Sequence, residues 1–369
     1  MKPRVLHVIP FLWSGAGNVV SRLCLSQQSR WDVALVTSGA SKGLRDWPAY
    51  RRRLAAAGVV HHAIDLFDRD AATFWNSVGA LGRLVSGWRP DVVHTHAGVP
   101  ACAAAAVRDA ADRSFRLVNH VYNWGVDRPT WMNTMDLAGI RQADRVICSA
   151  TAYKDLLLRH GIPARRIAYI PWGLDLNAIR AEASQRSRRR AAVPVIGCLG
   201  RIEPRKGQLE LVRGFARYHR HAPDARLEVV GPIGDRDYAA RVAKTIRDLG
   251  LGQSVTLTGH VRQPHTRVAG WDLLVSLASD EGQGLAVLEA MALGVPVLAR
   301  PVAGVEDYLV DGVNGWACPG VSAHAVAQAV RRALADPHRA RIVARARRMI
   351  ERRYGWDRTV NAIGRLYRI

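Results

Sequence analysis

Short apolar, β-branched runs alternate with longer stretches of helical period along the whole chain. In the first half the runs read VLHVIP, WDVALVT, VVHHAID, DVVHTH, FRLVNHV, DRVICS and RIAYIP. In the second half they read PVIGCLG, RLEVVG, SVTLTG, DLLVSL and VPVLA. Near-continuous apolar strands separated by helices predict parallel sheets covered on both faces. The helical period is clearest after PVIGCLG, where Leu209, Val212, Phe215 and Ala216 recur. The alternation breaks between Ile179 and Ala192, where IRAEASQRSRRRAA is polar, basic and without strand pattern. That segment reads as a linker. The predicted fold class is therefore α/β, with two doubly wound, Rossmann-like domains facing one another across a cleft. The boundaries are 1–178, a linker at 179–192, and 193–354. A length of 369 residues suits two cores better than one. In such sheets ligands bind beyond the carboxyl ends of the strands.

Composition changes this picture in one respect. The formal net charge is +22, which favours polyanionic partners: nucleotide phosphates, anionic lipid headgroups or nucleic acid. The charge is spread out, since residues 1–180 hold 23 Lys/Arg against 13 Asp/Glu. Arg186, Arg188, Arg189 and Arg190 in the linker read either as an anion site or as a solvated face. Arg45, Trp47, Tyr50, Arg51, Arg52, Arg53, Phe74, Trp75 and Trp88 suit an anionic membrane interface, or ordinary half-buried helix faces. The five cysteines are far apart and form no C-x-x-C, so buried thiols in a reducing cytoplasm are expected. Lys2, Arg4 and VLHVIPFLW resemble a signal peptide superficially, but His7 and Pro10 interrupt the run, and a first strand is the better reading. No run approaches the length of a membrane span. Nucleic-acid binding is not expected, because the aromatics are scattered and no binding motif is present.

The richest chemistry lies in EGQGLAVLEAMALGVPVLAR, from Glu281 to Arg300. Glu281 falls in a Gly-rich loop after the strand DLLVSL, and Glu289 falls in an apolar helix starting near Gly284. A helix start exposes unpaired N–H groups and positive potential, which suits phosphate. Carboxylates on either side would accept hydrogen bonds from sugar hydroxyls. Gly294 and Pro296 suit the helix end. Earlier in the same half, PVIGCLG leads into Arg201 and Lys206, which precede a helix. Arg clamps phosphate bidentately and Lys supplies a point charge. Gly259 and Val261, at the end of a later strand, are candidates to shape a base pocket. In the first half, Gly15 lies in the turn SGAGN after the first strand, where backbone could approach a ligand. His94, His96 and His120 lie at strand ends. His94-x-His96 has no further ligand in the sequence pattern, so no metal site is expected.

These segments resemble the family-four retaining glycosyltransferases of the GT-B fold. EGQGLAVLEAMALGVPVLARPVAGVEDYLVDGVNGW and LGRIEPRKGQLELVRGF carry the resemblance most strongly, and ADRVICSATAYKDLLLRHGIPARRIAYIPWGLDLNAI matches the family's end of the first domain. YGWDRTVNAIGRLY resembles the terminal helix that crosses back to the N-terminal domain, here 355–369. The resemblance implies that Arg201 and Lys206 neutralise a donor diphosphate. It implies that Glu289 holds ribose hydroxyls, that Glu281 lies at the donor sugar, and that the amides of Gly284 and Leu285 contact sugar or phosphate. Gly15 would let the first-domain loop close over the donor, and His120 would lie beside the transferred sugar. VNHVYNWG departs from the family's spacing around that histidine, Gln283 replaces a commonly apolar or aromatic residue, and Gly17 stands where an acidic or amide residue is usual. The implied reaction moves a hexose-like sugar from a nucleotide diphosphate sugar to a glycan or lipid-linked acceptor, without metal or other cofactor. It would serve cell-envelope polysaccharide, lipopolysaccharide or glycolipid synthesis, in the cytoplasm or on the inner face of the membrane. Two other readings stay open: a sugar-nucleotide epimerase on the same fold, and a non-catalytic nucleotide-sugar or polyanion-binding protein.

Overall fold

The computed structural model describes residues 2–12, 15–38, 47–66, 70–110, 114–122, 130–184 and 193–368. Arg45, Ser14, Asn123 to Gly125 and the linker arginines lie outside the described residues. The chain divides into two units, Met1–Trp172 with Asp357–Ile369, and Gly173–Trp356.

The first unit is built on seven described parallel strands: β1 (Arg4–Val8), β2 (Asp32–Thr37), β3 (Val60–Ala63), β4 (Val92–Thr95), β5 (Arg116–Val121), β6 (Arg145–Cys148) and β7 (Ile167–Tyr169). Their order is β3-β2-β1-β4-β5-β6-β7. Every residue of β4 is buried, as are all but the first of β1, β2 and β5. This double-sided burial is why β1 and β2 are mostly apolar, while β4 and β5 also bury the polar His94, Thr95, Asn119 and His120. The helix Trp356–Tyr367 belongs to this unit from Asp357 onward. Tyr367 packs edge-on against Trp31 at 5.1 Å, and the Thr359 hydroxyl donates to the Pro171 carbonyl at 2.8 Å.

The second unit has six described parallel strands: β8 (Val195–Leu199), β9 (Arg226–Val230), β10 (Val255–Gly259), β11 (Leu273–Ser276), β12 (Val297–Ala299) and β13 (Trp316–Ala317). Their order is β10-β9-β8-β11-β12-β13. Alternate residues of β8 feed two apolar layers. Ile196 and Cys198 join Val212, Phe215, Trp316 and Val326, while Val195 and Leu199 pack on the side of Leu288, Met291 and Ile350. Both sheets are doubly wound, and strand order reverses beside β1 and beside β8. In open α/β sheets ligands bind at such a reversal, beyond the strand ends.

All twelve runs read from the sequence contain a strand. The edge strand β13 has only two residues, too short to leave a pattern. The linker expectation is corrected in part, because 179–184 lie in the helix Leu176–Ser184. Ile179 is buried, and Ala183 one turn later packs on the same apolar layer. Two apolar residues among charged neighbours were too few to reveal the helix. The units separate after Trp172 rather than after 178. Leu174 explains this: its N–H donates to the Tyr354 carbonyl at 2.7 Å, and its carbonyl accepts from Trp356 N–H at 3.1 Å. All five cysteines are free thiols, four of them buried. Among the described residues, no helix is long and apolar enough to cross a membrane.

Candidate functional site

In the second unit the chain leaves β8 through Gly200 and Arg201, makes a short turn at Pro204–Lys206, and enters the helix Gln208–His219. On the other side of the strand-order reversal it leaves β11, passes Asp280 to Gln283, and enters the helix Leu285–Ala292. The two loops meet. Lys206 Nζ lies 2.6 Å from Glu281 Oε1, with side chains 17% and 16% exposed. Arg205 lies 3.3 Å from Asp280 Oδ2 and 3.2 Å from Glu203 Oε1, an oxygen it shares with Arg201 at 3.1 Å. Burial works against the Arg205 charge, but Glu203, Glu281 and Asp280 more than offset it and hold its pKa above the ordinary value. Three cations and three carboxylates thus gather at the strand ends, as an Arg201–Glu203–Arg205–Asp280 chain and a Lys206–Glu281 pair.

The helix Leu285–Ala292 starts without a side-chain cap. Gly284 precedes it in the left-handed region, at φ 71°, and a Cβ there would lie 2.9 Å from the Tyr308 hydroxyl. That hydroxyl donates to the Gln283 carbonyl at 3.0 Å, while Gly304 N–H donates to the Glu281 carbonyl at 3.0 Å. The Glu281–Gly284 loop is therefore fixed from behind. The amides of the first turn have no side-chain acceptor and carry the positive end of the helix dipole.

Glu289 lies one turn inside that helix. It faces His265 Nε2 at 3.4 Å, and His265 Nδ1 lies 2.9 Å from Glu182. Burial lowers the His265 pKa, but the two carboxylates prevail and raise it to about 9. Val261 lies in the loop between β10 and the short helix Pro264–Val268 that carries His265, and packs on the same apolar layer as Leu285.

The first-unit candidates are placed differently. Gly15 is the exposed first residue of the helix Gly15–Gln27. The close approach in that turn belongs to Gly17, where a Cβ would lie 2.3 Å from the Leu12 backbone. This accounts for a glycine where a larger polar residue was expected. His120 is wholly buried near the end of β5. It stacks on Trp172 at 4.4 Å and on Tyr122 at 4.7 Å. Burial pushes its pKa down to about 3, and neither ring nitrogen has a hydrogen-bond partner. His94 and His96 are also buried, and His7 joins them from β1.

Residues 13–178 match the family described as Glycosyltransferase Family 4, and residues 179–351 match Glycosyl transferases group 1. The chain belongs to this glycosyltransferase family. Among curated relatives of the family, the GDP-mannose-dependent alpha-(1-6)-phosphatidylinositol monomannoside mannosyltransferase of Mycolicibacterium smegmatis is 31% identical over 199 residues, covering 48% of this chain and 50% of the relative. The D-inositol 3-phosphate glycosyltransferase of Acidothermus cellulolyticus is 29% identical over 313 residues, covering 80% of this chain and 65% of the relative. The chain thus spans about half to two thirds of the length of these relatives. Among solved structures, Anabaena HepE in complex with UDP and glucose superposes with a TM-score of 0.83, at 19% identity over 99% of each chain. Sucrose-phosphate synthase from Thermosynechococcus elongatus gives 0.82 at 21% identity, covering 99% of this chain and 98% of the other. The two doubly wound units are those of the GT-B glycosyltransferases.

Sequence reasoning missed several members of these charged clusters. Glu203 and Arg205 lie between Arg201 and Lys206, and Asp280 is adjacent to Glu281. Their charge was visible, but their pairing depends on the meeting of two loops. His265 and Glu182 had no local signal, because they reach Glu289 from two other helices.

Proposed function

We propose that this chain transfers a hexose-like sugar from a nucleotide diphosphate sugar to an acceptor hydroxyl with retention of anomeric configuration. The observation that carries this reading is the Lys206–Glu281 contact beside an uncapped helix N-terminus, in a chain of the glycosyltransferase family. In the ion-paired set at the strand ends, the carboxylates balance Arg201, Arg205 and Lys206. An arriving diphosphate competes for those cations and releases carboxylate oxygens for sugar hydroxyls. Arg201, Lys206 and the amides at Gly284 and Leu285 then stabilise the charge that grows on the leaving diphosphate. Glu289, fixed by His265, holds the ribose, and Glu281 orients the sugar. The bond from the anomeric carbon to the diphosphate oxygen breaks, and the acceptor oxygen bonds that carbon on the same face. The acceptor proton passes to a phosphate oxygen of the leaving group. In this reading the positive charge comes from side chains and amides. Relatives suggest which donors to try: one is named GDP-mannose-dependent, and another was solved with UDP and glucose.

The acceptor is a glycan or a lipid-linked glycan of the cell envelope, met at the cytoplasmic face of an anionic membrane. The net charge of +22 supports this, as does Trp75, 63% exposed beside Phe74.

The test is thermal stabilisation by UDP, GDP, ADP and CMP, with Arg201→Ala/Lys206→Ala as the comparison. At a hundredfold excess over its dissociation constant, a ligand adds about 2.7 kcal/mol. One diphosphate that shifts the wild type but not the double variant is the expected result. A shift of equal size in the double variant overturns the site.

A further inference from the structure

The four histidines His7, His94, His96 and His120 lie on one face of the first sheet. His7 and His94 are level on the neighbouring strands β1 and β4. His96 follows His94 by two residues and so returns to the same face, and His120 follows Val118, the β5 partner of His94, by two. Three of them converge. One ring nitrogen from each of His7, His94 and His96 lies within 4.8 Å of the other two, and all three residues are buried.

The remaining nitrogens are each held from outside. His7 Nε2 lies 2.8 Å from Gln27 Oε1, His94 Nδ1 lies 2.6 Å from the Tyr367 hydroxyl, and His96 Nδ1 lies 2.8 Å from the Tyr122 hydroxyl. This leaves His7 Nδ1, His94 Nε2 and His96 Nε2. The first and third lie 3.0 Å apart, while His94 Nε2 is buried without a partner. Proton accounting separates two states. With neutral rings alone, His96 Nε2 donates to His7 Nδ1, and nothing satisfies His94 Nε2. With a divalent cation, all three nitrogens become ligands, and the opposite nitrogens donate to Gln27, Tyr367 and Tyr122. Every ring nitrogen of the three is then satisfied. Outer-shell acceptors on the second nitrogen of each histidine are the usual support of such ligands.

We propose that His7, His94 and His96 form a three-imidazole site for a borderline divalent cation, zinc in the first instance. Among the described residues no thiolate or carboxylate joins the three, which favours zinc over calcium or magnesium. Zinc–nitrogen bonds of about 2.0–2.1 Å at tetrahedral angles separate ligand nitrogens by about 3.3 Å. The 3.0 Å pair already meets this, and a ring nitrogen of His94 lies within 4.8 Å of the other two. A fourth position falls to a solvent-derived ligand. The site is distinct from the charged set of the second unit and supplies no step of the proposed reaction. It ties β1, β4 and, through Tyr367, the last helix into one network.

The experiment loads the full chain with zinc chloride and counts the metal after exchange into chelator-treated buffer. Cobalt(II) serves as the spectroscopic probe. The expected result is one equivalent of zinc per chain, and tetrahedral cobalt bands in the wild type that are lost in His94→Gln. His221→Gln, at an exposed position, keeps both. Tyr367→Phe covers the case in which His94→Gln does not fold. It removes only the outer-shell oxygen and is expected to weaken zinc 10–100-fold. Less than one equivalent in the wild type, or unchanged affinity in Tyr367→Phe or in folded His94→Gln, overturns the proposal.

Discussion

His265 offers a quantitative test of the charge arrangement behind Glu289. Its backbone N–H donates to Glu182 Oε1 at 2.7 Å, and its ring lies between Glu182 and Glu289 at 2.9 Å and 3.4 Å. The side chain is 14% exposed, so solvent screens these contacts only weakly. Burial alone would lower its pKa, yet the two carboxylates raise it from 6.5 to about 9. At about 1.36 kcal/mol per pKa unit, that rise corresponds to stabilisation on the order of 3 kcal/mol. The folded pKa exceeds the unfolded one. The stabilisation is therefore complete below pH 6.5, is lost as pH rises from 6.5 to about 9, and is absent above that. His265→Gln keeps a polar side chain of similar size without the charge. Urea unfolding of wild type and variant, followed at a series of pH values, isolates the effect, because other titrating groups cancel in the difference. The transition to follow is that of the second unit, since two units need not unfold together. The variant should be less stable by on the order of 3 kcal/mol at pH 6, with the gap closing towards pH 10. A gap that stays constant across this range would refute the reasoning, because a lost packing contact has no such pH dependence.

Two further outcomes are expected besides the nucleotide and zinc experiments. Lys206→Ala and Glu281→Ala each lower turnover by about tenfold or more, since each removes half of a contact beside the proposed reacting centre; wild-type turnover in both would remove the catalytic assignment. Gly284→Ala puts a side chain in the left-handed region, costing about 1–2 kcal/mol. It also crowds the Tyr308 hydroxyl, and a weakened bond to the Gln283 carbonyl adds about 1–3 kcal/mol. An unchanged unfolding midpoint of the second unit would show that the loop is not fixed in this way.

Much of this was legible in the amino-acid order, and the exceptions have physical causes. Strands buried on both faces are mostly apolar, so β1 and β2 announced themselves most clearly, while two-residue β13 could not. Arg201, Lys206, Glu281 and Gly284 were legible because strand-to-helix loops at a strand-order reversal carry recognisable glycines and charges. The helix at Leu176–Ser184 was not, because only Ile179 in it is buried, with Leu176 and Ala183 packing partly on the same layer. Gly15 drew attention as part of a glycine turn, but the backbone contact that demands a glycine is made at Gly17.

The order of residues alone determined the alternation of strand and helix, the two-unit organisation, and which loops carry charge. Those properties depend on neighbours within a few positions, where periodicity and propensity act. Tertiary structure alone decided which charges meet: Lys206 with Glu281, and Glu289 with His265 and Glu182. It also decided that His7 reaches His94 and His96, and that Tyr367 closes over them from the other end of the chain. Such contacts join residues tens to hundreds of positions apart. Strand order and register set their distances, and no local pattern along the chain encodes them.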